Sequence, residues 1–336
     1  MKDFYPVKTL EFSKANVFCG YSLVGPKEGE GKLGELFDKI LTDDRCGKDT
    51  FEKGEREMFE LALKGILSKA GLDINDVDAF LGGDLLNQIV SVAFAVRKFP
   101  KPFVGLYNAC GTFVESLILG ALLVENKMDK VVCLSGSHFS TAERQYRYPL
   151  ELGVLRSPVS QWTATGVGCS VLSSGKEGCY ATISKATMGR VIDYGIMDVN
   201  NMGAAMAPAA MDTLVNHLRN TNTSPKDYDL IVTGDLGKLG KEILIDLMSK
   251  KGYDISDNFA DCGASLYYDD QKTYQGASGA ACSAIVFNSQ LLNSFETGAL
   301  SRLLLIGTGA LMSPTTSFQG ESIPCIAHLV EVRRCL

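Results

Sequence analysis

Apolar positions along this chain switch repeatedly between a helical and a strand-like pattern. Residues 55–71 read EREMFELALKGILSKAG, and a helix over this stretch brings five apolar side chains to one face: Met58, Leu61, Ala62, Ile66 and Leu67. Gly71 suits the position that ends such a helix. The runs VVCLSGS at 131–137 and LLLIGTG at 303–309 are apolar over strand length, as in strands that are covered on both faces. The pattern predicts an α/β fold.

One stretch of the first half of the chain recurs in the second. NDVDAFLGGDL at 75–85 aligns with KDYDLIVTGDL at 226–236, and five of the eleven positions are identical. Each copy follows a helical segment, and the apolar face of the second segment consists of Met211, Leu214, Val215 and Leu218. Such self-similarity indicates a duplicated structural unit.

The two strand-like apolar runs form a second match in the same order. Each follows a predicted buried helix, and their alignment sets Cys110 opposite Cys282 at the start of these helices. Two ordered matches outweigh a chance similarity between ordinary αβ units. We therefore predict two duplicated α/β halves, residues 1–180 and 181–336, with mixed sheets sandwiched by helices.

The charge balance argues against nucleic acid as a partner. The formal net charge is −6 and the isoelectric point is near 5.3, without a block of basic residues. The first thirty residues lack the basic start and apolar core of a signal peptide. No apolar stretch approaches the roughly 20 residues that span a bilayer. We expect a cytoplasmic protein whose membrane association is peripheral or mediated by a partner.

The ten cysteines and three histidines show neither C-x-x-C pairs nor the spacing of a metal site. Without a secretory signal, the expected state of the cysteines is the reduced thiol, and most should pack as small core residues. These residue types therefore predict no metal site.

Several longer strings carry a resemblance to known proteins. NACG at 108–111 before an apolar helix, and KAGLDINDVDAF at 69–80, are typical of the thiolase superfamily. A closer resemblance, to the stage V sporulation protein AD family, lies in strings that span nearly the whole chain in the family's order: GPKEGEGKLGELFD at 25–38, GDLLNQ at 83–88, STAERQYRYP at 140–149, GAAMAPAAMDT at 203–213 and GALMSP at 309–314.

This resemblance implies a thiolase-like fold, related to that of ketoacyl synthase III, and a homodimer. It further implies a protein of sporulation that binds dipicolinic acid (pyridine-2,6-dicarboxylate) for uptake into the forespore. The implied partners are membrane proteins of the same operon, which would hold the protein peripherally at the spore inner membrane.

Cys110 lies where thiolase-fold enzymes carry an acyl group as a thioester. A helix N-terminus stabilises a thiolate. These enzymes also need a second-half histidine and asparagine to stabilise the developing negative charge. The corresponding places read TGDL at 233–236 and GASGA at 276–280, without either residue. An ionised Asp235 would repel an oxyanion, so we predict no enzymatic activity and regard Cys110 as a relic nucleophile that lines a ligand pocket.

Two alternatives stay open. An active ketoacyl-synthase-III-like acyltransferase would use Cys110 with a displaced histidine, either His138 or His328. A scaffold would hold membrane partners without a small ligand. His138 is otherwise a loop histidine bonded within its own turn, His328 is predicted at the edge of the core, and His217 is predicted on the solvated face of a helix.

Dipicolinate is a flat ring with two carboxylates, so its site needs cationic or N–H donors and a flat apolar wall. The N–H groups at residues 110–112 suit one carboxylate. Arg144 and Arg147 suit the other, with Tyr146 or Tyr148 stacking nearby. The alternative for this run is a solvated charged loop closed by a proline.

Three weaker candidates come from other loops and strand ends. Lys27, in the glycine-rich PKEGEGKLG, is either an anion contact on a flap or part of a surface loop or dimer edge. Asp84 either orients a donor or contacts Ca²⁺ that accompanies the ligand, unless it and its duplicate Asp235 share a structural capping role. Ser137 is a candidate of the same kind. The predicted ligand-binding set is Cys110, Asp84, Lys27, Ser137, His138, Arg144 and Arg147, with no cofactor, and calcium is left open.

Overall fold

The computed structural model describes residues 7–147, 150, 153 and 155–335, in which helices and strands alternate along the chain. The strands are β1 (Thr9–Glu11), β2 (Asn16–Val24), β3 (Lys39–Ile40), β4 (Ala79–Gly83), β5 (Phe103–Gly105), β6 (Lys130–Ser137), β7 (Trp162–Thr163), β8 (Gly166–Ser173), β9 (Ala181–Thr187), β10 (Leu230–Thr233), β11 (Phe259–Asp261), β12 (Ala277–Ser278), β13 (Arg302–Ala310) and β14 (Cys325–Arg334).

The α-helices are α1 (Pro26–Gly29), α2 (Phe51–Ala70), α3 (Val90–Val96), α4 (Thr112–Glu125), α5 (Phe139–Tyr146), α6 (Met202–Thr221), α7 (Gly237–Ser249), α8 (Cys262–Leu266), α9 (Cys282–Val286), α10 (Leu292–Thr297) and α11 (Pro314–Phe318). A π-helical turn, Phe287–Leu291, joins α9 to α10. Short 3-10 helices cover Gly34–Leu36, Ile74–Asp76, Asn87–Ile89, Pro225–Asp227 and Asp269–Gln271.

The main sheet repeats one strand order twice. In the first half the order is β5-β4-β6-β8-β2, and in the second it is β11-β10-β13-β14-β9. In each half the first three strands are parallel and the last two are antiparallel to their neighbours. The halves join where β2 pairs with β9 at Asn16↔Thr182 and Val17↔Ala181. The mixed α/β prediction is confirmed, and the domain boundary at residue 180 stays a prediction with which this repeat is consistent.

Two helices at the centre of the molecule pack across the halves. Helix α4 contacts β4 and β6 of its own half and also β13 and β14 of the other, whereas α9 contacts β2, β6 and β8 of the first half. Phe113 of α4 meets Phe287 at 5.6 Å between ring centroids. Helices α2 and α3 cover the outer face of the first half, and α6 packs on β13 and β14 of the second. The central helices therefore start inside the molecule, where their N-termini can meet a buried site.

The start of α4 lies against the backbone of β13. A Cβ atom added to Gly309 would lie 2.5 Å from the carbonyl oxygen of Asn108. Only glycine permits this approach without displacement of the turn before α4. The Gly-Thr-Gly run of β13 thus fixes the position of residues 108–111.

The long predicted helix and its end are confirmed. Helix α2 spans Phe51–Ala70, and Gly71 follows in the left-handed conformation with φ 64°. His217, however, is not solvated as predicted. It is fully buried, and its ring nitrogens contact Thr187, Tyr228 and Glu331. The face of α6 that carries His217 packs against the sheet.

The expectation of ten reduced cysteines is also wrong for one pair. Cys179 and Cys335 form a disulfide with a sequence separation of 156. Seven of the other eight cysteines are buried free thiols, and Cys46 is half-buried. No local spacing pattern links residues so far apart. Within the described part of the chain, no helix combines the length and apolar character needed to cross a bilayer.

Candidate functional site

A small pocket, with a cavity volume of about 30 Å³, opens where the start of α4 meets the end of β13. Its walls come from both halves of the chain, and most of them are apolar. The lining residues are Leu85, Tyr107, Ala109, Cys110, Ala142, Tyr146, Arg147, Thr163, Met202, Ser278, Ala310 and Met312. The pocket thus contains three residues that the sequence analysis proposed as ligand contacts: Cys110, Tyr146 and Arg147.

A tight turn before α4 presents Cys110 to the pocket. Ala109 adopts the left-handed conformation with φ 47°. The hydroxyl of Thr112 donates to the Ala109 carbonyl at 2.8 Å and accepts from the Asn108 N–H at 3.0 Å. Cys110 is 7% exposed in this arrangement. The cysteine thus has the position of a nucleophile at a helix start.

The electrostatics around Cys110 oppose such a role. Burial raises the pKa of the Cys110 thiol well above its ordinary value, and the Asp235 carboxylate raises it further by charge repulsion and by accepting a hydrogen bond from the thiol. The positive charge of Arg147 offsets only part of this effect. The neutral thiol, which is a poor nucleophile, is therefore the stable form.

Asp235 lies within residues 233–236, where the family resemblance leads us to expect the second-half histidine. Its carboxylate is buried and accepts hydrogen bonds from the Thr308 hydroxyl at 2.7 Å and the Gly279 N–H at 3.1 Å. Burial raises the pKa of Asp235, whereas donors including Thr308 and Cys110 lower it. A histidine could donate a hydrogen bond to a developing oxyanion, but this carboxylate, when ionised, only accepts. The group that faces the thiol is thus unsuited to acyl transfer.

This pairing predicts low thiol reactivity. Iodoacetamide should alkylate Cys110 slowly near neutral pH, and Asp235→Asn should accelerate the reaction, because it removes a charge that raises the thiol pKa and so increases the thiolate fraction, about tenfold for each pKa unit removed. Peptide mass spectrometry of timed samples measures both rates. Half-buried Cys46 serves as an internal control, because its rate should be equal in the two proteins. Fast alkylation of Cys110 in the wild type would contradict the assignment.

Arg147 carries the positive charge of the pocket. Helix α5 ends at Tyr146, and the Arg147 side chain, 7% exposed, forms an ion pair of 3.2 Å with buried Glu143. Its guanidinium also donates to the Gln161 carbonyl at 3.3 Å. Arg156 lies 3.5 Å from the second oxygen of Glu143. Two arginines thus share one buried carboxylate, which leaves this cluster with net positive charge.

Two tyrosines form a flat wall beside the arginine. The Tyr146 hydroxyl donates to the Leu85 carbonyl, so the Tyr107 hydroxyl donates to the Tyr146 oxygen at 2.7 Å. Burial raises the pKa of both phenols, so both remain neutral. The other predicted stacking residue, Tyr148, lies outside the described residues.

The remaining predicted cations lie elsewhere. Arg144 is 41% exposed on α5 and forms an ion pair of 3.0 Å with Glu52. The Lys27 ammonium lies 4.5 Å above the Trp162 ring and donates to the Gln271 carbonyl at 2.8 Å. Neither residue lines the pocket as the described residues define it. The structure therefore separates Arg144 from Arg147, although three positions part them in sequence.

Asp84 and Asp235 correspond in the sequence repeat, but their carboxylates accept hydrogen bonds from different parts of the structure. The Asp84 carboxylate accepts from the N–H groups of Leu86 and Val92, both at 2.8 Å, and so closes the turn before α3. Burial raises its pKa to about 6. Asp235 instead faces the Cys110 thiol. Asp84 is thus placed behind the pocket wall at Leu85, and the shared capping role is not observed.

Ser137 and His138 hold strand and helix ends. The Ser137 hydroxyl donates to the Ala164 carbonyl at 2.8 Å and accepts from the Ala281 N–H. His138 caps α5, because its Nδ1 accepts from the Ser140 N–H at 3.1 Å. Burial lowers the pKa of His138, so its ring is neutral and Nε2 donates to the Asp44 carbonyl.

None of the three histidines, all of which lie in the described residues, lines the pocket. His328 accepts the Gly189 N–H at its Nδ1 at the edge of the core. The described residues also contain no group of three or more His, Cys, Asp or Glu side chains arranged to hold a metal ion. The polar groups that line the pocket are a thiol, an arginine, two phenols and the hydroxyls of Thr163 and Ser278.

Sequence reasoning missed Tyr107, Met202 and Met312 among the pocket walls. Tyr107 directly precedes the NACG string, and that adjacency was a usable signal. The two methionines come from the start of α6 and the loop after β13. No spacing links them to Cys110, so only the fold brings them together.

The doubled sheet, the two central helices and a cysteine at the start of the first define a thiolase-like protein. The structure is similar to cerulenin-bound OleA of Xanthomonas campestris, with a TM-score of 0.61 and 13% identity over 96% of this chain and 98% of that one. It is also similar to 3-oxoacyl-[acyl-carrier-protein] synthase III from Aquifex aeolicus VF5, with a TM-score of 0.57 and 13% identity over 95% and 99%. At such identities the likeness shows the shared fold.

The family is more specific than the fold. Residues 7–333 match the family model of stage V sporulation protein AD (SpoVAD). The chain is 41% identical over 311 residues to Stage V sporulation protein AD of Bacillus subtilis (strain 168), which covers 92% of this chain and 91% of that protein. The chain therefore belongs to the stage V sporulation protein AD family, and the resemblance noted in the sequence is confirmed.

Proposed function

We propose that this chain is a non-catalytic binding protein of sporulation that holds dipicolinate in the Cys110 pocket for uptake into the forespore. The observation that carries the proposal is a pocket that joins the Cys110 thiol to the buried side chain of Arg147, while burial and the nearby Asp235 carboxylate raise the pKa of the thiol. The position of the nucleophile is kept, but its environment favours the unreactive thiol. The cavity is thereby suited to hold a ligand rather than to bond with it.

The pocket chemistry suits a flat aromatic dicarboxylate. The guanidinium of Arg147 has donors for one carboxylate. The N–H groups of Gly111 and Thr112, which the sequence analysis assigned to the other carboxylate, instead donate to the carbonyls of Asn108 and Ala109 in the turn. The rings of Tyr107 and Tyr146 offer the flat surface that a pyridine ring requires. In this proposal the protein pairs as a homodimer and is held at the spore inner membrane by channel proteins, and calcium accompanies the ligand as an optional component.

Asp235 gives the proposal a pH signature. An anionic ligand near Asp235 disfavours the ionised carboxylate, so binding raises its pKa above the already raised value of the free protein. Binding then takes up a proton between these two pKa values, and the affinity falls as pH rises through that interval.

Calorimetric titration with dipicolinate, with and without Ca²⁺, tests the proposal. We expect saturable binding, a weakening of about tenfold in Cys110→Ala, equivalent to 1.4 kcal/mol, and a loss of affinity with rising pH that Asp235→Asn abolishes. The Ca²⁺ arm decides whether the metal enters with the ligand.

Absence of heat at millimolar dipicolinate would overturn the binding proposal and leave the scaffold and acyltransferase alternatives. Intact-mass spectrometry after incubation with acyl-CoA then separates them, because only an acyltransferase gains an acyl group on Cys110.

A further inference from the structure

The disulfide joins the end of β14, the last strand of the second half, to the segment just before β9, the first strand of that half. Cys179 stands two residues before β9, and Cys335 directly follows β14. These strands are antiparallel neighbours with Ala181 opposite Arg334, and the Cα atoms of the cysteines are 6.2 Å apart. The Cys335 N–H also donates to the Tyr180 carbonyl. The sheet itself therefore holds the two sulfurs within bonding reach.

We infer that Cys179 and Cys335 form a redox-exchangeable staple that encloses the whole second half of the molecule and sets its stability. The separation of 156 residues contains every strand from β9 to β14. The staple also adjoins the junction of the halves, because the Tyr180 N–H donates to the Val17 carbonyl of β2. Its effect falls on this junction and on the end of β14, away from the pocket walls.

Exposure singles out this pair for exchange. Both cysteines are half-buried, as is Cys46 among the free cysteines, whereas the other seven free cysteines are buried. Burial raises the pKa of Cys46 to about 11 and of Cys325 to about 12, so these thiols form little thiolate near neutral pH. Thiol–disulfide exchange requires an accessible thiolate. All ten cysteines lie in the described residues, so the comparison covers the full set.

The exchange balances with a small disulfide as oxidant. One cysteine, as a thiolate, attacks the small disulfide, forms a mixed disulfide and releases one small thiol. The second cysteine then attacks the protein sulfur of the mixed disulfide, forms the Cys179–Cys335 bond and releases the other small thiol. Both cysteine protons are given up in the process, and a dithiol reverses it by becoming a cyclic disulfide itself.

The cross-link restricts the unfolded chain more than the folded one. A loop of this length loses much conformational freedom when closed, whereas the native strand pairing already holds its ends together. Reduction should therefore preserve the fold and lower its stability. We expect Tm to fall by about 5–10 °C on reduction, given the usual cost of opening a long loop in a chain of this size.

The experiment compares the wild type with Cys335→Ser after incubation with oxidised glutathione and then with dithiothreitol. Alkylation in denaturant before reduction should label eight cysteines in the wild type, and alkylation after reduction should label ten. The oxidised wild type should melt about 5–10 °C above its reduced form, because reduction opens the cross-link. Cys335→Ser should melt at the reduced value in both states.

Ten labelled cysteines in glutathione-treated wild type would overturn the inference, because the pair would then not oxidise. An equal shift of Tm in Cys335→Ser would also overturn it, because the reductant would be acting elsewhere. Dipicolinate affinity should be equal in both redox states, so the outcome is independent of the proposed ligand.

Discussion

Arg147→Ala should reduce the affinity for dipicolinate by at least thirtyfold. The substitution removes the cation that pairs with a ligand carboxylate and, among the described residues, leaves Arg156 as the ion-pair partner of buried Glu143. Truncation of one partner of a buried charge pair costs about 2–5 kcal/mol, which corresponds to a loss of roughly 30-fold to several thousandfold. Calorimetric titration under the conditions that saturate the wild type measures the change.

Arg144→Ala is the matched control for this prediction. Arg144 lies on the same helix, but it is exposed and paired with Glu52 on the surface, so its loss should leave the affinity unchanged. Arg147→Lys should retain part of the binding, because it keeps the charge and loses the two-pronged geometry. Thermal melting of each variant identifies any loss of folding. A large effect of Arg144→Ala with none at Arg147 would place the ligand outside the pocket.

Glu331→Gln should lower the free energy of unfolding by about 3 kcal/mol, because it breaks a buried ion pair. Glu331 lies on β14 with its side chain fully buried, and it accepts from the guanidinium groups of Arg302 and Arg333 at 2.6–3.1 Å. Burial would raise its pKa, but hydrogen bonds from His217, Arg302 and Arg333 outweigh burial and hold the pKa far below its usual value. The glutamine variant loses the charge that these donors require.

The sign of the pH dependence follows from the lowered pKa. The stabilisation by Glu331 is complete above the pKa of the unfolded state, near 4.3, and is lost as pH falls through the folded pKa. Denaturant unfolding should therefore separate the wild type from Glu331→Gln most widely near neutral pH and bring them together in acid. Glu11→Gln, at an exposed carboxylate paired with Lys185, should change little at either pH. A constant difference at all pH values would contradict the assignment.

The sequence predicted the duplicated fold well because buried strands and helices leave strong periodic patterns. The repeated strings correspond to β4 and β10, and the apolar runs to β6 and β13. The resemblance to ketoacyl synthase III put Asp235 within residues 233–236, where the histidine is missing, and in the structure Asp235 lies close enough to Cys110 to raise the pKa of its thiol. Positions inside regular elements were therefore readable from spacing.

Side-chain direction at the ends of elements was not readable. Arg144 and Arg147 are three residues apart, which a continuous helix would place on one face. Helix α5 ends between them, so Arg147 turns to the pocket while Arg144 remains at the surface. Asp84 and Asp235 diverge in the same way, because different loops follow their strands. The buried environment of His217 depends on Glu331, which lies on a distant strand.

The strand order has a consequence for how such a molecule can arise. Within the repeated strand order, the first strand of the first half, β2, lies beside its last strand, β8, and in the second half β9 lies beside β14. Each unit therefore begins and finishes at the same edge. A tandem fusion of two such units needs only a short connector, here residues 174–180, and no rethreading of either unit. The same adjacency makes the second unit suitable for circular permutation, with new termini opened in a surface loop.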